Sequence, residues 1–222
     1  MALQYNIAKE GLGDDMGVKW IFFDIGSTLV DEAEAYDHRA REMLCRADIS
    51  FTEFDRKRIE LARMGFDGNS AAIEYFGLEK TPWHSEDEIP YDDAEGTLAT
   101  LGQRGYRLGI IANQVAGAEE RLKGFGLQKH FDVVVTSAEL GVAKPDRAIF
   151  EKAMELAGCE AENAVMVGDR LDNDIIPAKA IGLTTVWIRQ GLAAYQDIEL
   201  GGGKADYIID NLSELLGLFG NL

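Results

Sequence analysis

The sequence predicts an α/β fold: a Rossmann-like core of parallel strands with an all-helical cap inserted after the first strand. Three observations carry this. Trp20-Ile21-Phe22-Phe23 is a continuous apolar run of strand length, the pattern of a strand covered on both faces. From Asp31 to about Ile89 the strand signal vanishes and apolar residues recur at helical spacing. After Pro90, short apolar runs alternate with helix-period segments, which demands a parallel sheet with helices on its faces.

The elements follow in order. Tyr36, Ala40, Met43, Leu44 and Ala47 mark a first helix. Thr52 is the expected N-cap of a second helix that carries Ile59, Ala62 and Phe66. Asn69 or Ser70 is expected to cap a third, ending at Gly77. The stretch 81–90 is an acidic loop bounded by prolines. Beyond it, Ala94, Leu98 and Leu101 mark a helix that closes at Gly102 or Gly105. Strands are expected over 107–112, 131–136, 164–167, 184–188 and 206–209. Helices are expected over 118–125, 145–157 (with Ile149, Ala153 and Leu156 on one face), 174–181 and 211–219. The core is therefore 1–30 with 91–222, the cap is 31–90, and 1–15 reads as disordered or a short appendage, with Met16 an alternative start. Gly201-Gly202-Gly203 reads as a loop.

Composition narrows the partners. Of 222 residues, 46% are hydrophobic, enough for a sizeable core, while the formal net charge is −17. Nucleic-acid backbones and anionic membrane surfaces repel such a chain. No stretch reaches the ~20 apolar residues of a membrane span, and the N-terminus lacks the apolar run of a secretory signal. The two cysteines, Cys45 and Cys159, lack metal-ligand spacing and read as idle thiols in a reducing, cytoplasmic compartment rather than as a disulfide. His38, His84 and His130 have no metal-ligand spacing either, and His84 reads as ordinary surface. Trp83 and Trp187 read as packing residues. The oligomeric state is not legible.

Polar clusters sit at or just beyond the expected carboxyl ends of strands: Asp24, Asn113, Lys144 and the run Gly168-Asp169-Arg170-Leu171-Asp172-Asn173-Asp174. In an open parallel sheet these ends converge on one crevice. Carboxylates there hold Mg²⁺, one carboxylate can attack phosphorus, and a lysine neutralises phosphoryl oxygens. Loop N–H groups from Gly26 through Ser27 to Thr28 can cradle anionic oxygens. Asp31, Glu32, Tyr36 and Arg39 follow closely enough to face the same crevice and contact substrate, the other reading of them being a solvated helix face.

Taken in order, FFDIGSTLVD, IIAN, AKPD and GDRLDND resemble the four motifs of the haloacid dehalogenase-like hydrolases, most of them Mg²⁺-dependent phosphatases. The resemblance runs over about 18–215, with a helical cap between the first two motifs. It implies Asp24 as nucleophile and metal ligand, the Gly26 carbonyl as second ligand, and Asp169 and Asp174 as the acidic pair on the metal. It implies Lys144 as the lysine steadying nucleophile and phosphoryl group, and Asn113 as the close of the second motif. Two positions depart from it. Gly26 stands where the phosphatases carry an Asp that acts as general acid and base. Ala112 stands where Ser or Thr bonds a phosphoryl oxygen. A positioned acid/base is typically worth about 10²–10⁴ in rate. One oxyanion hydrogen bond is worth about 10²–10³. The acidic fourth motif argues against a dehalogenase, and neither Lys57 nor Lys80 of the cap is marked as a Schiff-base lysine for phosphonate cleavage. The expected function is a Mg²⁺-dependent hydrolase of small phosphorylated metabolites through an aspartyl-phosphate, weakened at Gly26 and Ala112. The alternative is a catalytically impaired binding or regulatory protein on the same fold.

Overall fold

The computed structural model describes residues 17–196, 204–220 and 222. The readings of 1–15, Met16 and Gly201–Gly203 fall outside them. Six strands form one parallel sheet: β1 (Trp20–Phe23), β4 (Arg107–Ala112), β5 (Val133–Thr136), β6 (Ala164–Gly168), β7 (Thr184–Ile188) and β8 (Tyr207–Ile209), in the order β5-β4-β1-β6-β7-β8. A two-stranded antiparallel ribbon completes the strands, β2 (Val30–Asp31) against β3 (Ile89–Pro90).

β1 is central because all four of its residues are buried. Its side chains alternate between the two faces of the sheet. Ile21 and Phe23 join one cluster with Leu108, Ile110 and Val165. Trp20 and Phe22 join the other with Ile111 and Met166. The first face is covered by α4 (Ala94–Gln103), α5 (Ala118–Gly124) and the short α9 (Leu215–Leu218), the second by α7 (Arg147–Ala157) and α8 (Ile176–Ala180). The chain winds outward from β1 in both directions, so the sheet's switch point lies at its carboxyl end.

Between the ribbon strands come α1 (Ala33–Leu44), α2 (Phe51–Arg63) and α3 (Gly68–Tyr75). They share a cluster of their own, with Ala40, Met43, Leu44, Phe54, Ala72 and Ile73 buried. Arg58 ties α2 to α1 through Asp37 at 2.6 Å.

Several expected ends shift. Ser50, not Thr52, caps α2, its Oγ accepting from the Glu53 N–H at 3.2 Å. Asp67, not Asn69 or Ser70, caps α3 by accepting from the Ser70 N–H. In α7 the cap is Asp146, accepting from the Ala148 N–H at 2.9 Å, so the helix starts at Arg147 rather than Pro145. Leu156 faces solvent at 55% exposure, and the buried face of α7 runs through Ile149, Phe150 and Ala153. Phe66 lies beyond α2 and is exposed. The expected 174–181 helix becomes a π-helical turn, Leu171–Ile175, leading into α8. There the Arg170 carbonyl accepts from both the Asp174 and Ile175 N–H groups, and Pro177, in the first turn of α8, has no N–H to give. The closing helix shrinks to a 3₁₀ turn, Leu212–Glu214, and the four residues of α9. Both cysteines are free thiols. No helix among the described residues is long and apolar enough to cross a membrane.

Candidate active site

Three of the functional groups enter from the ends of central strands. Asp24 follows β1, its N–H donating to the Val167 carbonyl at 3.0 Å. Asn113 follows β4 and Asp169 follows β6. Lys144 arrives on the loop between α6 (Ser137–Leu140) and α7. Asp24, Gly26, Ser27, Asn113, Lys144, Asp169 and Asp174 all line one cleft.

Lys144 is the centre of the site. Its Nζ donates to Asp24 Oδ1 at 2.6 Å, Asp174 Oδ1 at 2.6 Å and the Ile111 carbonyl at 2.8 Å. Three acceptors match its three protons. Burial pulls its pKa down, but the fields of Asp174 and Asp24 outweigh that and the net direction is up. Asn113 holds the lysine's backbone from both sides. Its Nδ2 donates to the Lys144 carbonyl and its Oδ1 accepts from the Lys144 N–H, at 2.8 and 2.7 Å. The Asn113 amide thus positions Lys144, with both ends already engaged.

Asp174 is 1% exposed, and its Oδ2 accepts from the Arg170 N–H at 2.9 Å. That approach needs a bare backbone at Gly168, where a Cβ would stand 2.4 Å from Asp174 Oδ2. Asp24, Asp169 and Asp174 each offer an oxygen within 4.8 Å of the others. One ammonium faces three carboxylates, and Lys144 reaches only two of them. Burial, then Asp174 and Asp24, hold the Asp169 carboxyl well above the usual range. Folding has therefore assembled an all-oxygen set whose ionised form requires another cation, and such donors fit Mg²⁺.

The same cleft holds Glu32, just before α1, and Tyr36 on it. Glu32 turns back over the first motif. A Cβ built on Gly26 would meet Glu32 Oε2 at 2.5 Å and Oε1 at 2.6 Å. Burial, then the fields of Asp24 and Glu88, raise the Glu32 carboxyl to about 8, with Arg121 pulling the other way. Glu88, just before β3, is 5% exposed and is held by Trp83 Nε1 at 2.5 Å and Arg121 Nε at 3.5 Å.

Thr28 and Arg39 are not brought into this cleft. Thr28 is fully buried, and its N–H bonds the Ile25 carbonyl at 3.3 Å. The Ser27 N–H is used as well, on the Val30 carbonyl at 2.8 Å. These turn bonds leave neither N–H for the expected anion cradle, so Ser27 lines the cleft without it. Arg39 stacks on Trp83, its guanidinium 5.7 Å from the ring centroid. Asp31 Oδ1 accepts from the Ala33 N–H at 2.8 Å just ahead of α1. Arg170, named in the sequence only as part of the fourth polar run, reaches Asp67, the N-cap of α3, at 2.7 Å.

A buried lysine shared by carboxylates at the switch point of a parallel sheet on an α/β core is an arrangement suited to phosphoryl transfer. The chain belongs to the haloacid dehalogenase-like hydrolases, whose family model matches residues 21–188. It is 34% identical to the glyceraldehyde 3-phosphate phosphatase of Pyrococcus furiosus, over 90% of this chain and 92% of that protein. It is 29% identical to the enzyme of the same name from Methanothermobacter thermautotrophicus, over 89% and 98%. Among solved structures, a phosphatase of this superfamily from Thermococcus onnurineus superimposes with a TM-score of 0.65 at 30% identity, covering 92% of this chain and 99% of that one.

Proposed function

We propose that the protein is a Mg²⁺-dependent phosphatase of small phosphorylated metabolites, and that Glu32 supplies the proton-transfer group missing at Gly26. The observation that carries this reading is the occupancy of one space. The Glu32 carboxylate stands where a side chain on Gly26 would begin, in the cleft that Asp24 and Lys144 also line.

In the first half-reaction an Asp24 oxygen attacks phosphorus, and the bond from phosphorus to the leaving oxygen breaks. The protonated Glu32 gives its proton to that oxygen, and an alcohol departs. In the second half-reaction the Glu32 carboxylate takes a proton from water as the water oxygen attacks phosphorus. The Asp24 acyl-phosphate bond breaks and inorganic phosphate leaves. Burial, the largest cause of the raised Glu32 pKa, suits the first role because it favours the protonated carboxyl. Lys144 holds the attacking carboxylate in place and offsets charge on the phosphoryl oxygens. Mg²⁺, held by Asp24, Asp169, Asp174 and the Gly26 carbonyl, would neutralise the carboxylates and the phosphoryl oxygens. Helices α1–α3 act as a cap over the cleft that selects substrate and excludes water. Their contact with the core through Arg170 and Asp67 supports that arrangement.

The relatives named as phosphatases of glyceraldehyde 3-phosphate support a small phosphomonoester as substrate. Two free thiols are compatible with a cytoplasmic setting. Glu32 removes one of the two arguments for an inactive binding protein. Ala112, fully buried at the end of β4, is the other. A panel of phosphometabolites with and without Mg²⁺ is the test, with Asp24→Asn as control. Turnover that needs both Mg²⁺ and Asp24 supports the proposal. Activity that survives Asp24→Asn, or none on any phosphomonoester, overturns it.

A further inference from the structure

A second convergence of ligand-type side chains lies in the cap. His38 and Glu42 are four residues apart on α1 and so share one helix face. His84 comes to the same spot just before the 3₁₀ turn Ser85–Asp87. The two imidazoles stack nearly parallel, 3.7 Å between centroids with an 11° interplanar angle. Both point Nε2 at Glu42: His84 Nε2 is 2.9 Å from Oε2, and His38 Nε2 is 4.0 Å from Oε1. One donor atom from each of the three residues lies within 4.8 Å of the other two.

The opposite ring nitrogens are held from outside. His38 Nδ1 is 2.7 Å from Asp87 Oδ2, and His84 Nδ1 is 3.2 Å from Glu86 Oε1. A carboxylate on the far nitrogen is what fixes the tautomer of a metal-binding histidine. With each Nδ1–H donated outward, both Nε2 lone pairs would face the Glu42 carboxylate; in the protonated form His84 Nε2 instead donates to Glu42 Oε2, and the hydrogen bonds to Glu42 and Glu86 raise its pKa. Either that proton or a metal ion balances the charge there, and the convergence of three ligand atoms suits the ion. Two imidazole nitrogens and one carboxylate oxygen are a donor set for Zn²⁺ rather than Mg²⁺, which takes oxygen. His84 is 16% exposed while Glu42 and His38 are 38% and 43% exposed, so one side is open for entry and for a water ligand.

We propose that His38, Glu42 and His84 form a Zn²⁺ site, separate from the Asp24 cluster, that clamps the two ends of the cap together. α1 leaves the core directly after β2, and His84 lies just before the return at β3, so the ion would join the outgoing and returning limbs beside the ribbon that carries them.

The experiment titrates Zn²⁺ into the full chain by calorimetry with excess Mg²⁺ present to fill the carboxylate site, and follows thermal unfolding in parallel. Wild type is expected to bind one Zn²⁺ per chain and to melt higher with it. His38→Gln with His84→Gln should remove both effects, its zinc-free melting curve reporting that it is folded. Asp87→Asn keeps all three ligands and should weaken binding about 10–100-fold. Equal Zn²⁺ binding by wild type and the double histidine variant overturns the proposal. So does the absence of a Zn²⁺-dependent shift in wild type, which would leave a network holding protons only.

Discussion

Glu32 and Gly26 use the same space: two carboxylate oxygens of one lie 2.5 and 2.6 Å from the point where the other would carry its Cβ. A side chain on Gly26 would therefore have to displace the Glu32 carboxylate, the far end of a flexible side chain. The Gly26 φ lies outside the left-handed region, so the backbone itself accepts a side chain there and the obstacle is steric.

The first prediction exchanges these two residues. Glu32→Gln should lower turnover of alkyl phosphates by about 10²–10⁴ and let phosphorylated Asp24 accumulate, because the base for the second half-reaction is gone. Aryl phosphates, whose leaving groups need less protonation, should still phosphorylate Asp24. Gly26→Asp alone has to displace the Glu32 carboxylate from its place and should gain less than the paired exchange. Gly26→Asp combined with Glu32→Ala moves the acid to the position the sequence leaves bare and should regain much of the lost rate. Rapid-quench detection of the phospho-enzyme reads the outcome. A double variant no better than Glu32→Gln, with no accumulated intermediate in either, would count against Glu32 as the proton carrier.

The second concerns Lys144, 2% exposed between Asp24 and Asp174. Lys144→Met leaves three crowded carboxylates with no internal cation. Breaking a buried pair this way costs about 3–5 kcal/mol, and loss of the charge should cut turnover by at least about 10². Because an added cation then has more repulsion to relieve, the rise in Tm with Mg²⁺ should be larger in the variant than in wild type. An equal or smaller rise would show that the carboxylates do not share an ion.

The third uses Gly168. A methyl there would lie 2.4 Å from Asp174 Oδ2, so Gly168→Ala must push the aspartate away from Lys144 and from the Arg170 N–H. A cost of about 1–3 kcal/mol is expected from the overpacking, together with weaker Mg²⁺ stabilisation. Denaturant titration with and without Mg²⁺ measures both. A variant as stable and as Mg²⁺-responsive as wild type would exclude the tight approach.

The fourth is a pH effect away from the site. His130 Nε2 is closed off without a hydrogen-bond partner, and burial, with Lys129 adding to it, lowers the imidazole pKa below its usual 6.5. A lowered folded pKa means that the unfolded chain binds the proton first. The stabilisation is complete above about 6.5 and is lost as pH falls toward the folded value. His130→Phe should flatten that limb of the Tm-against-pH curve relative to wild type. Parallel curves for the two proteins would rule out this origin.

The sequence by itself determined the sheet core, because Trp20–Phe23 and the later apolar runs are complete local patterns that fit only strands covered on both faces. It also brought Asp24, Asn113, Lys144, Asp169 and Asp174 to one crevice, since each follows or flanks a strand end and parallel topology gathers such ends. Helix caps were legible only to within a few residues, as Ser50 against Thr52 illustrates: neighbouring residues compete for the same N–H groups and geometry picks one. Only the tertiary structure decided what Gly26 means. Read alone it is a missing acid, yet the turn through Val30, bonded back to Ile25 and Ser27, carries Glu32 over it. The same folding spent the Ser27 and Thr28 N–H groups on the turn, sent Arg39 to Trp83, and stacked His38 on His84 across the cap. Periodicity records which face of an element is apolar. It does not record which polar side chains meet across elements, because that depends on loop paths and on which hydrogen bonds the backbone has already used.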